Sequence, residues 1–208
     1  EAHARGIADT FRDVAGFGVG ALGRFFESSE AVTAPEFRTF ASSLAMPGCL
    51  LAYEWVPRVA GPRRAALAAE AARHGVKGFA PWETGARGDR APVPDRPVLY
   101  PVLYSTSGTD ATPTPAGLDR SADPVFIAAA EAALRTGLTT ATLPRSNRTA
   151  GHADPILILR PVRVATPGTA TAPDASAAGF VIASLRPQPA LLGHRGTVGA
   201  DGDRKSVV

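Results

Sequence analysis

The chain has 208 residues, 45% of them apolar, and a mean hydropathy of +0.01, which together exclude wholesale disorder. Lys and Arg number 22 against 19 Asp and Glu, a net charge of +3 that is too small and too scattered for a nucleic-acid surface. The single cysteine, Cys49, excludes an intrachain disulfide and a cysteine-based zinc site, and no run of roughly 18 apolar residues is present to span a membrane.

Residues 1 to about 32 read as one helix. The set Ile7, Phe11, Val14, Gly18, Ala21, Phe25, Ser28 and Val32 steps alternately by four and three, the seam of a left-handed coiled coil. Two readings stay open: a seam for a second copy, or an amphipathic helix packed on its own domain. No secretory signal pattern opens the chain, and one that begins inside a helical pattern reads as an excised domain.

Thr33 stands three before Glu36, a capping-box spacing, so a second helix with the stripe Phe37, Phe40 and Leu44 follows until Pro47-Gly48. Cys49 to Val56 reads as a strand with Trp55 in the core, covered by Phe40 and Leu44. Arg63 to His74 reads as a helix stopped by Gly75, Val76 to Pro81 as a short strand, and Gly85 to Pro94 as a loop. Pro97 to Thr106 reads as an edge or bulged strand because of Pro101, and side-chain alternation puts Tyr100 and Tyr104 on one face. Asp123-Pro124 fits an N-cap and first helical position, and that helix ends at Gly137. Strands over 138–143, 156–164 and 179–185 complete the chain, which is therefore α+β.

No enzyme signature is present: HExxH, CxxC, GxSxG, the P-loop and the dinucleotide fingerprint are all missing. His3, His74, His152 and His194 are far apart and read as solvated, with His74 at a helix C-terminus. Asp119 and Asp123 read as caps, and Arg58, Arg63 and Arg64 as a solvated helix start. Asn147-Arg148-Thr149 fits a glycosylation acceptor, a pattern common by chance. No catalytic residue, metal site or cofactor is expected.

Seven segments in order resemble one family: VTAPEFRTFASSL, LAYEWVPRVAGPRRAAL, GFAPWE, RPVLYPVLY, GLDRSADP, AALRTGLTTATLP and ILRPV, over about Val32 to Val162. They are similar to the CHASE domain, the extracytoplasmic sensor module of membrane-bound histidine kinases, nucleotide cyclases and diguanylate cyclases. The resemblance implies a long N-terminal helix leading into two PAS-like subdomains, with transmembrane helices flanking the whole. The expected organisation is a helical stalk over 1–45, a distal ligand-binding subdomain over 46–154, and a membrane-proximal subdomain over 155–208, reduced or incomplete. It also implies a periplasmic or extracellular location, a small-molecule ligand, a homodimer through the N-terminal helix, and a kinase or cyclase output domain, as in two-component systems. A structural dimerisation module that binds nothing is the alternative.

Cytokinins are the family's best-known ligands, gripped in plant receptors by an Asp whose position here is Phe126. An apolar Phe supplies no acceptor, so the resemblance does not extend to that ligand. The plant Leu aligns with Arg148, which if buried would suit a carboxylate or phosphate and otherwise is a loop residue. The family's Thr is matched by Thr142. The expected ligand-binding set is Phe79, Tyr100, Tyr104, Phe126, Thr142 and Arg148.

Overall fold

The computed structural model describes residues 12–44, 50–107, 112–142, 154–163 and 177–186. A π turn, Val14–Gly18, runs into helix α1, Val19–Glu27. The helix stops there, short of residue 32, because Ser28 and Ser29 turn their hydroxyls onto the Phe25 carbonyl at 3.3 and 2.7 Å. Serine side chains that bond the local backbone compete with the helical ladder. Residues 1–11, with Ile7 and Phe11 of the expected seam, lie outside the described residues.

Helix α2, Ala34–Ser43, opens on the expected capping box: Thr33 Oγ1 accepts from Glu36 N–H, and Glu36 Oε2 accepts from Thr33 N–H at 2.8 Å. Strand β1, Leu50–Pro57, follows, then the short β2, Val59–Ala60, and helix α3, Arg64–Arg73, capped by His74. Gly75 leaves it with a φ of +93°, a left-handed conformation that glycine adopts without cost.

No strand forms over 76–81, where Gly78 has a φ of +64°. Extended pairing starts one residue later. Strand β3, Trp82–Thr84, pairs with β4, Arg90–Pro92, inside the segment expected as loop. The expected strand over 97–106 is two strands, β5 (Val98–Leu99) beside β2, and β6 (Tyr104–Ser107) beside β1. Pro101 has no N–H for a ladder, and the neighbouring amides turn elsewhere. Tyr100 N–H donates to Asp119 Oδ1 at 2.7 Å and Val102 N–H to the Leu118 carbonyl at 2.9 Å.

Helix α4, Pro124–Thr136, has Asp123 Oδ1 accepting from Val125 N–H at its start and Gly137 at φ +71° at its end, as expected. Strands β7 (Thr140–Ala141), β8 (Ile156–Val162) and β9 (Gly179–Leu185) complete an antiparallel sheet in the order β6-β1-β9-β8-β7. The expected boundary at residue 154 therefore runs through this sheet, since β8 and β9 lie on its C-terminal side and pair with β7 and β1.

Residues of β8 and β9 are buried on both faces, and their near-continuous apolar runs are what such strands require. One face presents Tyr53, Trp55, Ile158, Val181 and Ala183 to α1 and α2. The other presents Val56, Leu157, Leu159, Phe180 and Ile182 to α4, whose buried stripe is Phe126, Ala129, Ala130 and Ala133. Those positions fall at steps of three and four, one side of a helix. The molecule is thus α+β, with one sheet between two helical layers.

Candidate functional site

On the α4 face, a cavity of about 460 Å³ opens between the sheet and the segment 112–125. Ala52, Leu157, Ser184 and Thr142 line the sheet side, and Thr114, Leu118, Arg120, Asp123 and Val125 the cover. That volume is in the range of small-molecule sites, which combine apolar walls with a few converging polar groups.

The polar groups here converge on Glu54. It points from β1 to this face and is fully buried. Arg120 Nη2 donates to its Oε2 at 2.6 Å, Thr114 Oγ1 donates to its Oε1, and Ser184 Oγ donates to Oε1 at 3.3 Å. A lone carboxylate in this place would lose its hydration at a cost of several kcal/mol. The guanidinium and two hydroxyls replace that hydration. Arg120 is brought there by the 3-10 turn Arg120–Ala122 between Asp119 and α4.

Asp119 does not cap that turn. Its buried carboxylate instead accepts from Tyr100 N–H and from Ser121 Oγ at 2.8 Å, and lies 3.4 Å from Arg96, which also pairs with Glu83 at 2.7 Å. This ties the cover segment to the end of β5 and to the β3–β4 hairpin.

Among the described residues expected to bind a ligand, Thr142 alone lines this cavity. Its N–H donates to the Leu157 carbonyl at 2.8 Å and its Oγ1 accepts from Leu157 N–H at 2.9 Å, extending the β7–β8 ladder by a side chain. Tyr100 and Phe126 pack edge to face at 5.4 Å in the α4 core, the cluster that includes Leu157. Tyr104 is in the opposite core, against Phe37, with its hydroxyl donating to the Val32 carbonyl at 2.8 Å. The two tyrosines therefore do not share a face, because the chain leaves the sheet at Pro101. Burial, with Glu70 and Glu36 adding to it, pushes the Tyr104 phenol well above its usual range. Phe79 is buried at a second hollow, beside Trp82, whose ring carries Arg90 at 4.5 Å. Arg148 lies outside the described residues.

Sequence reasoning missed Glu54 and Arg120. The signal available was a single charge inside the apolar run CLLAYEWV. A charged residue there must either face water or find a cation.

The CHASE domain family model matches residues 30–200, most of the chain, and the chain belongs to that family. A search of curated proteins gives no match. CHASE domains are extracytoplasmic sensory modules of signalling receptors and are not catalytic. No helix among the described residues is long and apolar enough to cross a membrane.

Proposed function

We propose that the chain is the ligand-sensing domain of a membrane-bound receptor, flanked in the full protein by transmembrane helices. A small molecule filling the cavity under 112–125 signals to a cytoplasmic histidine kinase or cyclase domain. The observation that carries this reading is the cavity itself, lined by Thr142 and by Thr114, Arg120 and Ser184, the three side chains that hydrogen-bond Glu54. Glu54 belongs to β1 and Ser184 to β9, so a ligand that moves either one biases strands on which α1 packs. A ligand shifts a receptor only by preferring one of two arrangements, and a shared polar floor gives it that leverage. The sheet, with its last strand β9 in the middle beside β1 and one face enclosing a cavity, supports a PAS-like distal unit. Thr142 is the proposed contact, with Tyr100 and Phe126 as the packed support behind Leu157.

A thermal-shift screen of metabolites against the 208-residue chain tests this, because binding to the native state raises stability by RT ln(1 + [L]/Kd). A ligand whose shift disappears in Thr142→Ile supports the reading. No ligand, or shifts indifferent to that substitution, counts against it.

Dimerisation through α1 is a second reading, favoured by a different observation. Phe25 stacks on Phe40 at 4.6 Å on the outer side of α1 and α2, and Phe17 is 64% exposed. Phe17, Ala21 and Phe25 follow at four-residue steps, so they share a helix side.

A further inference from the structure

Helix α1 is out of step with the turn that precedes it. Its buried residues Phe26, Leu22 and Val19 recur at α-helical steps of four and three, and the next step of four falls on Ala15. Ala15 is only half-buried, whereas Val14, five residues before Val19, is fully buried in the same core. The Val19 N–H accordingly donates to the Val14 carbonyl, a π-helical bond that reaches back five residues. The turn thus holds one residue more than an α-helix needs, and it buries a valine where an α-helix would bury an alanine.

The same sequence satisfies a second register. Val14, Gly18, Ala21, Phe25 and Ser28 step by four and three, so an uninterrupted α-helix carries them in one stripe, which Ile7 and Phe11 continue in sequence. The π turn breaks that stripe. Val14 faces the core of its own chain, while Ala21, Phe25 and Ser28 line an open hollow beside Phe40. A seam of this spacing is what a second helix packs on.

We propose that the π turn Val14–Gly18 is a register switch for association with a second copy of this chain. Conversion to α-helix moves the bond of the Val19 N–H from the Val14 carbonyl to that of Ala15. It turns the chain before it by about 100°, one residue's share of a helical turn. Ala15 then takes the place of Val14 in the core, and Val14 joins Ala21 and Phe25 in the seam. One register is closed by the domain's own core and the other by a partner, which makes the turn a bistable element. Gly16 in its middle offers no obstacle, since even a Cβ there would meet nothing within 4 Å. The inference rests on the dimer reading of α1 and is independent of the cavity and its ligand.

Two variants of the 208-residue chain push the turn in opposite directions. Ala15→Val gives the α register a valine for the core. Deletion of Gly16 removes the additional residue and fixes Val14 in the core of a plain α-helix. A Val14→Cys probe in a Cys49→Ser background reports the register by its rate of alkylation with iodoacetamide, at concentrations where the chain sediments as a monomer. That rate is expected to rise about tenfold on adding Ala15→Val, the size of the burial exchanged, and to stay low in the deletion variant. With Val14 retained, Ala15→Val is expected to tighten the dimer Kd by about tenfold in sedimentation, and the deletion to weaken it by a similar factor. An alkylation rate unchanged by Ala15→Val overturns the inference. So does a dimer of equal Kd in all three forms, which leaves the dimer reading intact. A chain that is monomeric in all three overturns both. Should the deletion unfold the chain, Ala15→Val decides alone.

Discussion

Phe26 stacks on Trp55 with ring centroids 4.1 Å apart and planes 20° from parallel. One ring comes from α1 and the other from the interior strand β1, so α1 is a wall of the domain. Its buried residues Val19, Leu22 and Phe26 face the sheet of its own chain. Phe26 covers Trp55, while the expected Phe40 stacks on Phe25. Trp55→Ala is expected to cost about 3–5 kcal/mol, the range for a large aromatic removed from a core. Chemical denaturation measures it, and a cost under about 1 kcal/mol would mean the stack contributes little.

Gly18 is small for a reason that lies across the interface. A Cβ at that position would sit 2.1 Å from Tyr53 Oη. Tyr53 is fully buried and donates to the Leu44 carbonyl at 3.3 Å, so its ring has no free path away. Gly→Ala in a helix usually stabilises by about 1 kcal/mol. Here Gly18→Ala is expected to destabilise by about 1–3 kcal/mol, the cost of overpacking. Tyr53→Phe removes the atom that clashes and is expected to recover part of that loss. A double-mutant cycle with no coupling between the two changes would contradict this contact.

The outer side of α1 separates the two readings of the four-three seam. Val14 and Gly18 of that set are buried in the chain itself, while Ala21, Phe25 and Ser28 face outward to differing degrees. Association between copies is therefore expected to use Phe25 and its neighbour Phe40. Phe25→Glu should lower the dimer fraction in sedimentation without unfolding the chain, whereas Phe26→Glu should unfold it. Equal sedimentation of wild type and Phe25→Glu at every concentration would exclude this face.

Local signals were the legible part of the fold. Thr33 with Glu36, Asp123 with Pro124, and Gly75 and Gly137 each act within one turn, and all four ends fall where those residues stand. The strand 179–185 was legible because it is apolar on both faces. Partner choice was not legible. Nothing within VLYPVLY says that the Tyr100 amide turns to Asp119, nineteen residues on, and so places the two tyrosines in different cores. The same holds for the site. Thr142 could be found from its neighbours, but Glu54 and Arg120 stand 66 positions apart in the chain and meet only once it has folded.

The capping box makes one contribution to stability that depends on pH. Hydrogen bonds from the Thr33 backbone and side chain hold the Glu36 carboxyl below its ordinary value of 4.5. A carboxyl lowered in the folded state stabilises fully above its unfolded pKa, and that gain is lost as pH falls through the lower, folded value. Glu36→Gln removes the titration and keeps an acceptor for Thr33 N–H. The stability difference between wild type and Glu36→Gln is expected to be constant above about pH 6 and to shrink below pH 4.5. A difference that grows on acidification would contradict the sign.

Thr142 holds two roles that a single substitution confuses. Its hydroxyl oxygen accepts from Leu157 N–H at 2.9 Å, and the same side chain lines the cavity. Thr142→Ile leaves that amide without its acceptor and adds bulk to the wall. The stability loss is expected to be about 1–3 kcal/mol, the cost of an unsatisfied buried donor. Thr142→Ser keeps the acceptor and removes only a methyl group, so its stability should stay within about 1 kcal/mol of wild type. A ligand held in the cavity should still bind Thr142→Ser and should be excluded by Thr142→Ile, at temperatures where both remain folded. Equal binding by the serine and isoleucine variants would show that the wall at 142 does not touch the ligand.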